Sequence, residues 1–159
     1  MSSVSFKINT KREEEQVLEF TKKNIEFIKK KRIRTTWPKD TVVEKEYDEE
    51  KYKKFLEKVK EDWKRDNNDF LEKLAHFFKL NEDFHFTVKI SKYGPLGFYN
   101  SLKKTVTINM INENIVETIK HEMLHILVDH FMEKYSVNHK EKEDLVNFLT
   151  EFIEKQDAK

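Results

Sequence analysis

Cysteine is absent from the chain, which excludes disulfides and thiolate metal sites and leaves histidine and carboxylate as the available metal ligands. Glycine and proline are scarce as well, two of each in 159 residues. Three of those four fall in YGPLG, residues 93–97, so an irregular turn is expected there and regular elements elsewhere. No apolar run approaches the ~18 residues a membrane helix needs, and the opening MSSVSFKINTKREEEQ has no apolar signal core. The expectation is a cytoplasmic protein. Excess charge of one sign is also missing: 31 Lys and Arg balance 30 Asp and Glu, so no bulk field draws the chain to nucleic acid or membrane.

What the chain has in quantity is charge and aromatic surface. Charged residues make up 38%, and 13 Phe, five Tyr and two Trp recur at regular spacing. Aromatic side chains bury much area per residue, so the composition implies highly charged helices around an aromatic core. A single compact unit is expected at this length.

Thr10 stands three residues before Glu13, the spacing of a capping box that satisfies free N–H groups at a helix start. A first helix is expected from there to about Arg34, with Val17, Leu18, Ile25 and Ile28 on its apolar face, ending before Pro38. Residues 35–46 read as a linker or short extended piece. A second helical region starts at Asp48 and breaks at KRDNND, with Tyr52, Val59 and Trp63 before the gap and Phe70, Leu74 and Phe78 after it. FHFTVKI alternates apolar and polar residues as a strand does, and LGFYN and TVTINM form a further strand pair. Asn112 is a candidate N-cap for a helix over about 113–132, and a last helix covers about 140–155. The expected fold class is α+β. Residues 1–80 form a helical region with a supporting, regulatory or partner-binding role, and residues 81–159 carry a small, mostly antiparallel sheet and two helices.

Within the expected helix 113–132 lies KHEMLHILVDH, residues 120–130. His121 and His125 are four apart, one turn on the same helix face, with Cβ atoms about 5–6 Å apart. Both imidazoles can then reach one ion. Glu122 flanks that ion without ligating it and can serve as a general base toward a water. Met123, Leu124, Ile126, Leu127 and Val128 make the helix apolar almost all round, so these polar groups would lie in a buried cleft that a cation satisfies. The alternative, a surface helix whose histidines pair with neighbouring glutamates, does not account for that apolar surround.

A catalytic site of this kind needs a third protein ligand and an open position. Asp129, His130, His139, Glu141, Glu143 and Asp144 follow the motif. Asp129 lies about 12 Å of helix rise from His121, and His130 points about 140° away from His125. The last helix is therefore the better source, with several residues open.

With its HExxH stretch and a glutamate-bearing helix after it, the chain resembles the zincin metallopeptidases, and among them the gluzincins. In that family the ligand helix often carries Glu, three residues, then Asp or Asn. EDLVN at 143–147 matches. The resemblance implies zinc bound by His121, His125 and Glu143, with Glu122 as general base and Asn147 holding a ligand histidine from behind. It covers about residues 84–155, and its compact order is similar to that of single-domain minigluzincins. ImmA/IrrE-like peptidases are less similar, lacking counterparts here to their alanine-rich ligand helix, as are SprT-like peptidases, whose third ligand is histidine.

The resemblance further implies a polypeptide substrate pairing with the strand before the HExxH helix, here Thr105, Thr107 and Asn109. Tyr135 and His139 are the nearest candidates for an oxyanion donor, with Tyr93 or Tyr99 as loop alternatives. The rival class is a non-enzymatic, metal-containing regulator or scaffold. The basic run Lys22–Arg34 leaves nucleic-acid contact open as an accessory function.

Overall fold

The computed structural model describes residues 2–38, 47–80, 84–132 and 138–155. SVSFKI at the start alternates polar and apolar side chains and forms β1 (Ser3–Ile8). Thr10 then caps α1 (Lys11–Lys23) with the full reciprocal capping box to Glu13. Asn24 interrupts the helix, and α2 (Ile25–Lys30) follows. The expected single helix to Arg34 is thus two shorter ones. Termination comes before Pro38 has any influence, because Arg32 turns left-handed at φ 54° and Ile33 N–H bonds back to Ile28 C=O.

After β2 (Thr35–Thr36), the polar gap expected near residue 67 does separate two helices, α3 (Glu49–Asp66) and α4 (Phe70–Phe78). Asn68 and Asp69 both adopt positive φ there, a conformation that asparagine and aspartate tolerate better than most residues. β3 (His85–Ser91), β4 (Gly94–Pro95), β5 (Gly97–Asn100) and β6 (Thr105–Asn109) precede α5 (Ile115–Met132) and α6 (His139–Glu154). Asn112 accepts from Asn114 N–H one turn before α5, and Asn138 caps α6 through Glu141 N–H.

The main sheet runs β1-β3-β6-β5. β1 and β3 are parallel, β3 and β6 are parallel, and β5 and β6 are antiparallel. A mixed sheet therefore replaces the mostly antiparallel one expected. Two parallel pairings make it so, β3 with β6 and β3 with β1, the strand that the first eighty residues contribute alongside their helices. Its partner lies some eighty residues away, so local patterning could not reveal the pairing.

The topology also corrects the assignment of the exposed edge. β6 is paired on both sides, so Thr105, Thr107 and Asn109 have no free ladder to offer a substrate. β5 is the edge strand. Asn109 N–H donates to Leu96 C=O, and the antiparallel alternation then places the backbone N–H and C=O of Gly97 and Tyr99 away from β6.

One face of the sheet, with Phe86, Val88, Ile90, Val106 and Ile108, is buried in the main core together with Tyr52, Trp63, Phe70 and Ile119. α3 packs along β1 and β3, and α5 along β5 and β6, side by side. α1 is fixed by Glu14, a fully buried carboxylate. It accepts from Asn9 Nδ2 at 2.8 Å, Tyr52 OH at 2.6 Å, Ser91 Oγ at 2.7 Å and Lys92 N–H at 2.8 Å. Four donors compensate the desolvation of that charge and tie α1 to both α3 and the end of β3.

Candidate metal centre

α5 is apolar around most of its circumference: Ile119, Met123, Leu124, Ile126, Leu127 and Val128 are all buried. His121, Glu122 and His125 stand on the side left toward β5 and α6. α6 buries Val146, Leu149 and Ile153 against the core, and this orientation carries Glu143 over the two histidines.

The result is a tight triangle of donor atoms. His125 Nε2 lies 3.2 Å from His121 Nε2 and 2.7 Å from Glu143 Oε1, while His121 Nε2 lies 3.1 Å from Glu143 Oε2. Ligands at about 2.0–2.1 Å in a tetrahedron are separated by roughly 3.3 Å. Two of the observed edges are close to that length, and the third, between His125 and Glu143, is shorter. The two imidazole nitrogens face each other at 3.2 Å and each reaches its own oxygen of the Glu143 carboxylate, a convergence of three donor groups that one shared cation would also satisfy. His121, His125 and Glu143 are the group among the described residues that could hold a metal.

Electrostatics follow from this crowding. Hydrogen bonds from both histidines hold the Glu143 carboxyl far below the usual range, against its partial burial. Burial alone would lower His121, but its bond to Glu143 and the charges of Glu122 and Glu143 outweigh that and raise it. Glu122 is only 8% exposed; burial pushes its carboxyl up to about 7, opposed by the nearby histidines. It takes no hydrogen bond from any described residue, which leaves its oxygens open to a water.

His125 is held by a group that the spacing did not disclose. The Tyr99 ring on β5 stacks on its imidazole at 4.8 Å between centroids and 9° between planes. Asp129, one turn beyond His125, accepts from Ser101 Oγ at 2.6 Å, from Lys142 Nζ at 2.8 Å and from the Tyr99 hydroxyl. Asp129 is thus a brace among three elements. The i, i+4 spacing from His125 singled it out without giving that role.

The other expected residues fall as follows. Asn147 is exposed and has no hydrogen-bond partner among the described residues, while buried His125 Nδ1 also lacks one. The support expected from Asn147 is absent because the apolar face of α6 turns this position to solvent. Glu141 bonds Asn138 in the cap, Asp144 is exposed, and His130 packs edge-on against Phe84. Tyr93 is buried against Val17, and the Tyr99 hydroxyl is taken by Asp129, so neither faces the site as an oxyanion donor. His139 packs edge-on against Phe27 and borders the cavity described next. Tyr135 lies outside the described residues.

A cavity of about 740 Å³ opens beside the triangle, lined by Glu122, His125, Glu143 and His139, by Gly97, Phe98 and Tyr99 of β5, and by Phe20, Phe27 and Ile28 across from them. The far wall thus comes from α1 and α2. At Gly97 β5 approaches α5 closely: a Cβ there would lie 2.3 Å from Thr118 Cγ2 and 3.8 Å from Glu122 Oε1. Only a residue without a side chain lets the strand lie this near the helix. No helix among the described residues is long and apolar enough to cross a membrane. Set against protein-family models, curated proteins and solved structures, the chain matches none of them.

Proposed function

We propose that the chain is a zinc-dependent peptidase of the zincin type. The observation that carries this reading is the convergence of His121, His125 and Glu143 at edges of 2.7–3.2 Å, with an unpartnered carboxylate, Glu122, beside them. A bound zinc supplies Lewis-acid chemistry, polarising a peptide carbonyl and lowering the pKa of a water. Glu122 takes the proton from the attacking water and returns it to the amine leaving group. A metal held for structure alone makes no use of such a group.

The substrate in this reading is an extended polypeptide. Gly97 and Tyr99 offer the outward N–H and C=O groups of an edge strand, and a peptide adds to such an edge by backbone hydrogen bonds. β5 takes the role expected of β6. His139, on the cavity wall, remains the described candidate for an oxyanion donor.

The test is cleavage of an unfolded polypeptide by the zinc-loaded protein and by Glu122→Gln. Cleavage by wild type, reduced roughly a hundredfold or more in Glu122→Gln with metal content unchanged, supports the reading. Equal cleavage by both proteins assigns it to a contaminant and removes Glu122 from the chemistry.

A further inference from the structure

Two features near the metal centre are not needed for the chemistry itself. The first is apolar. Phe20 and Phe27 are 43% and 38% exposed, and with Ile28 and Phe98 they line the cavity beside Glu122 and His125. Phe20 stacks on Phe98 at 5.3 Å, and Phe27 meets His139 edge-on at 5.0 Å. These rings make one wall of the cavity apolar and aromatic.

The second feature is charge. Lys31 lines the same cavity, and Lys29, Lys30, Lys31, Arg32 and Arg34 are all exposed. None of the five has a carboxylate within ion-pair distance among the described residues. The chain as a whole is almost neutral, so these five cations, of which Lys31 borders the cavity, make a local excess of positive charge. Charge of this kind raises the local concentration of an anionic ligand and falls off with salt.

We propose that the cavity takes an acidic polypeptide segment carrying one aromatic or large aliphatic side chain, with that side chain seated among Phe20, Phe27, Ile28 and Phe98 and its acidic neighbours facing the cations of α2 and the turn after it. The inference rests on the peptidase reading and extends it: residues 20–34, outside the metal-bearing half, set the specificity. A peptide is favoured over nucleic acid because the basic run borders an apolar cavity with a free strand edge rather than a broad cationic face.

The experiment uses the full chain as zinc-loaded Glu122→Gln, which binds without turnover, and measures affinity by fluorescence anisotropy. The probes are three labelled ten-residue peptides: one with a central Phe flanked by Asp and Glu, one with Ala for the Phe, and one with Lys for the acids. The expected result is tightest binding to the first peptide, with roughly tenfold weakening on loss of the ring and a comparable loss on charge reversal that shrinks as salt is raised. Phe27→Ala, at an exposed position that does not endanger folding, removes the preference for Phe and keeps the preference for acids. Lys31→Glu with Arg32→Glu does the reverse.

Equal affinity for the three peptides overturns the inference, as does stronger binding of an oligonucleotide of equal charge that displaces the acidic peptide. Wild-type cleavage is measured on the same peptides. Cleavage without the preference sinks this inference and leaves the peptidase reading intact, whereas retained preference in binding with no cleavage by zinc-loaded wild type sinks the peptidase reading instead.

Discussion

The Tyr99 ring lies parallel to the His125 imidazole, 4.8 Å away, and its hydroxyl is tied to Asp129 one helical turn further on. His125 has no hydrogen bond at its buried Nδ1, so its orientation depends on this stack and on the side facing Glu143. Groups that orient a ligand histidine typically change metal affinity ten- to hundredfold when removed. Tyr99→Ala is therefore expected to weaken zinc binding about tenfold, read by competition with a chromophoric chelator. An unchanged affinity would show that packing in α5 alone fixes the ring.

The brace at Asp129 has a pH dependence. Burial raises its carboxyl, but bonds from Lys142, Ser101 and Tyr99 outweigh that and the net shift is downward. A depressed carboxylate binds protons less readily in the folded state than in the unfolded one. Its stabilising contribution is present above the unfolded value, about 3.9, and disappears as pH falls through the folded value. Urea midpoints from pH 6 downward should therefore fall less steeply in Asp129→Asn than in wild type. Parallel profiles would mean that the brace contributes nothing.

Gly97 separates the edge strand from the HExxH helix by the least space a residue can occupy. Gly97→Ala places a Cβ 2.3 Å from Thr118 Cγ2, an overpacking that costs about 1–3 kcal/mol and moves the strand edge proposed to receive a peptide. Thr118→Ser deletes that methyl and keeps the hydroxyl, which bonds Asn114 C=O. The double variant should recover most of the stability and cleavage lost in Gly97→Ala; failure to recover would point to backbone freedom rather than contact as the role of this glycine.

Glu14 anchors the helix that forms the far wall of the cavity. Glu14→Ala leaves the donors on Asn9, Tyr52 and Ser91 without their acceptor in a buried place, and unsatisfied buried groups cost about 1–3 kcal/mol each. A loss of about 3 kcal/mol or more is expected in denaturant unfolding. A loss below about 1 kcal/mol would show that the donors find other partners.

Local spacing carried much of this account. The i, i+4 histidines, the capping box at Thr10 and the alternation in β3 are short-range patterns whose physics operates within one or two turns. Glu143 was reachable from the distance between its helix and the motif, together with the gluzincin resemblance. What sequence did not disclose depends on long-range pairing. β1 alternates as a strand should, yet six residues next to a capped helix carry no sign of a partner at residues 85–90. The parallel pairing of β3 with β6 is no more visible locally, and without the order β1-β3-β6-β5 the exposed edge falls on the wrong strand. Tyr99 and Phe27 were likewise illegible, because nothing in an aromatic residue's neighbours tells a core ring from one that stacks on a ligand or lines a cavity. Asn147 failed for the opposite reason: its spacing from Glu143 was right, but the burial of Val146 and Leu149 decided which way α6 faced.

The proposed chemistry requires that His121, His125 and Glu143 hold one zinc ion. Elemental analysis after exposure to zinc and exhaustive dialysis, on wild type, Glu143→Ala and His139→Ala, tests it most directly. One zinc per chain is expected in wild type and in His139→Ala, and its loss in Glu143→Ala. A folded wild-type protein that retains no zinc, or a Glu143→Ala variant that retains it fully, would contradict the assignment.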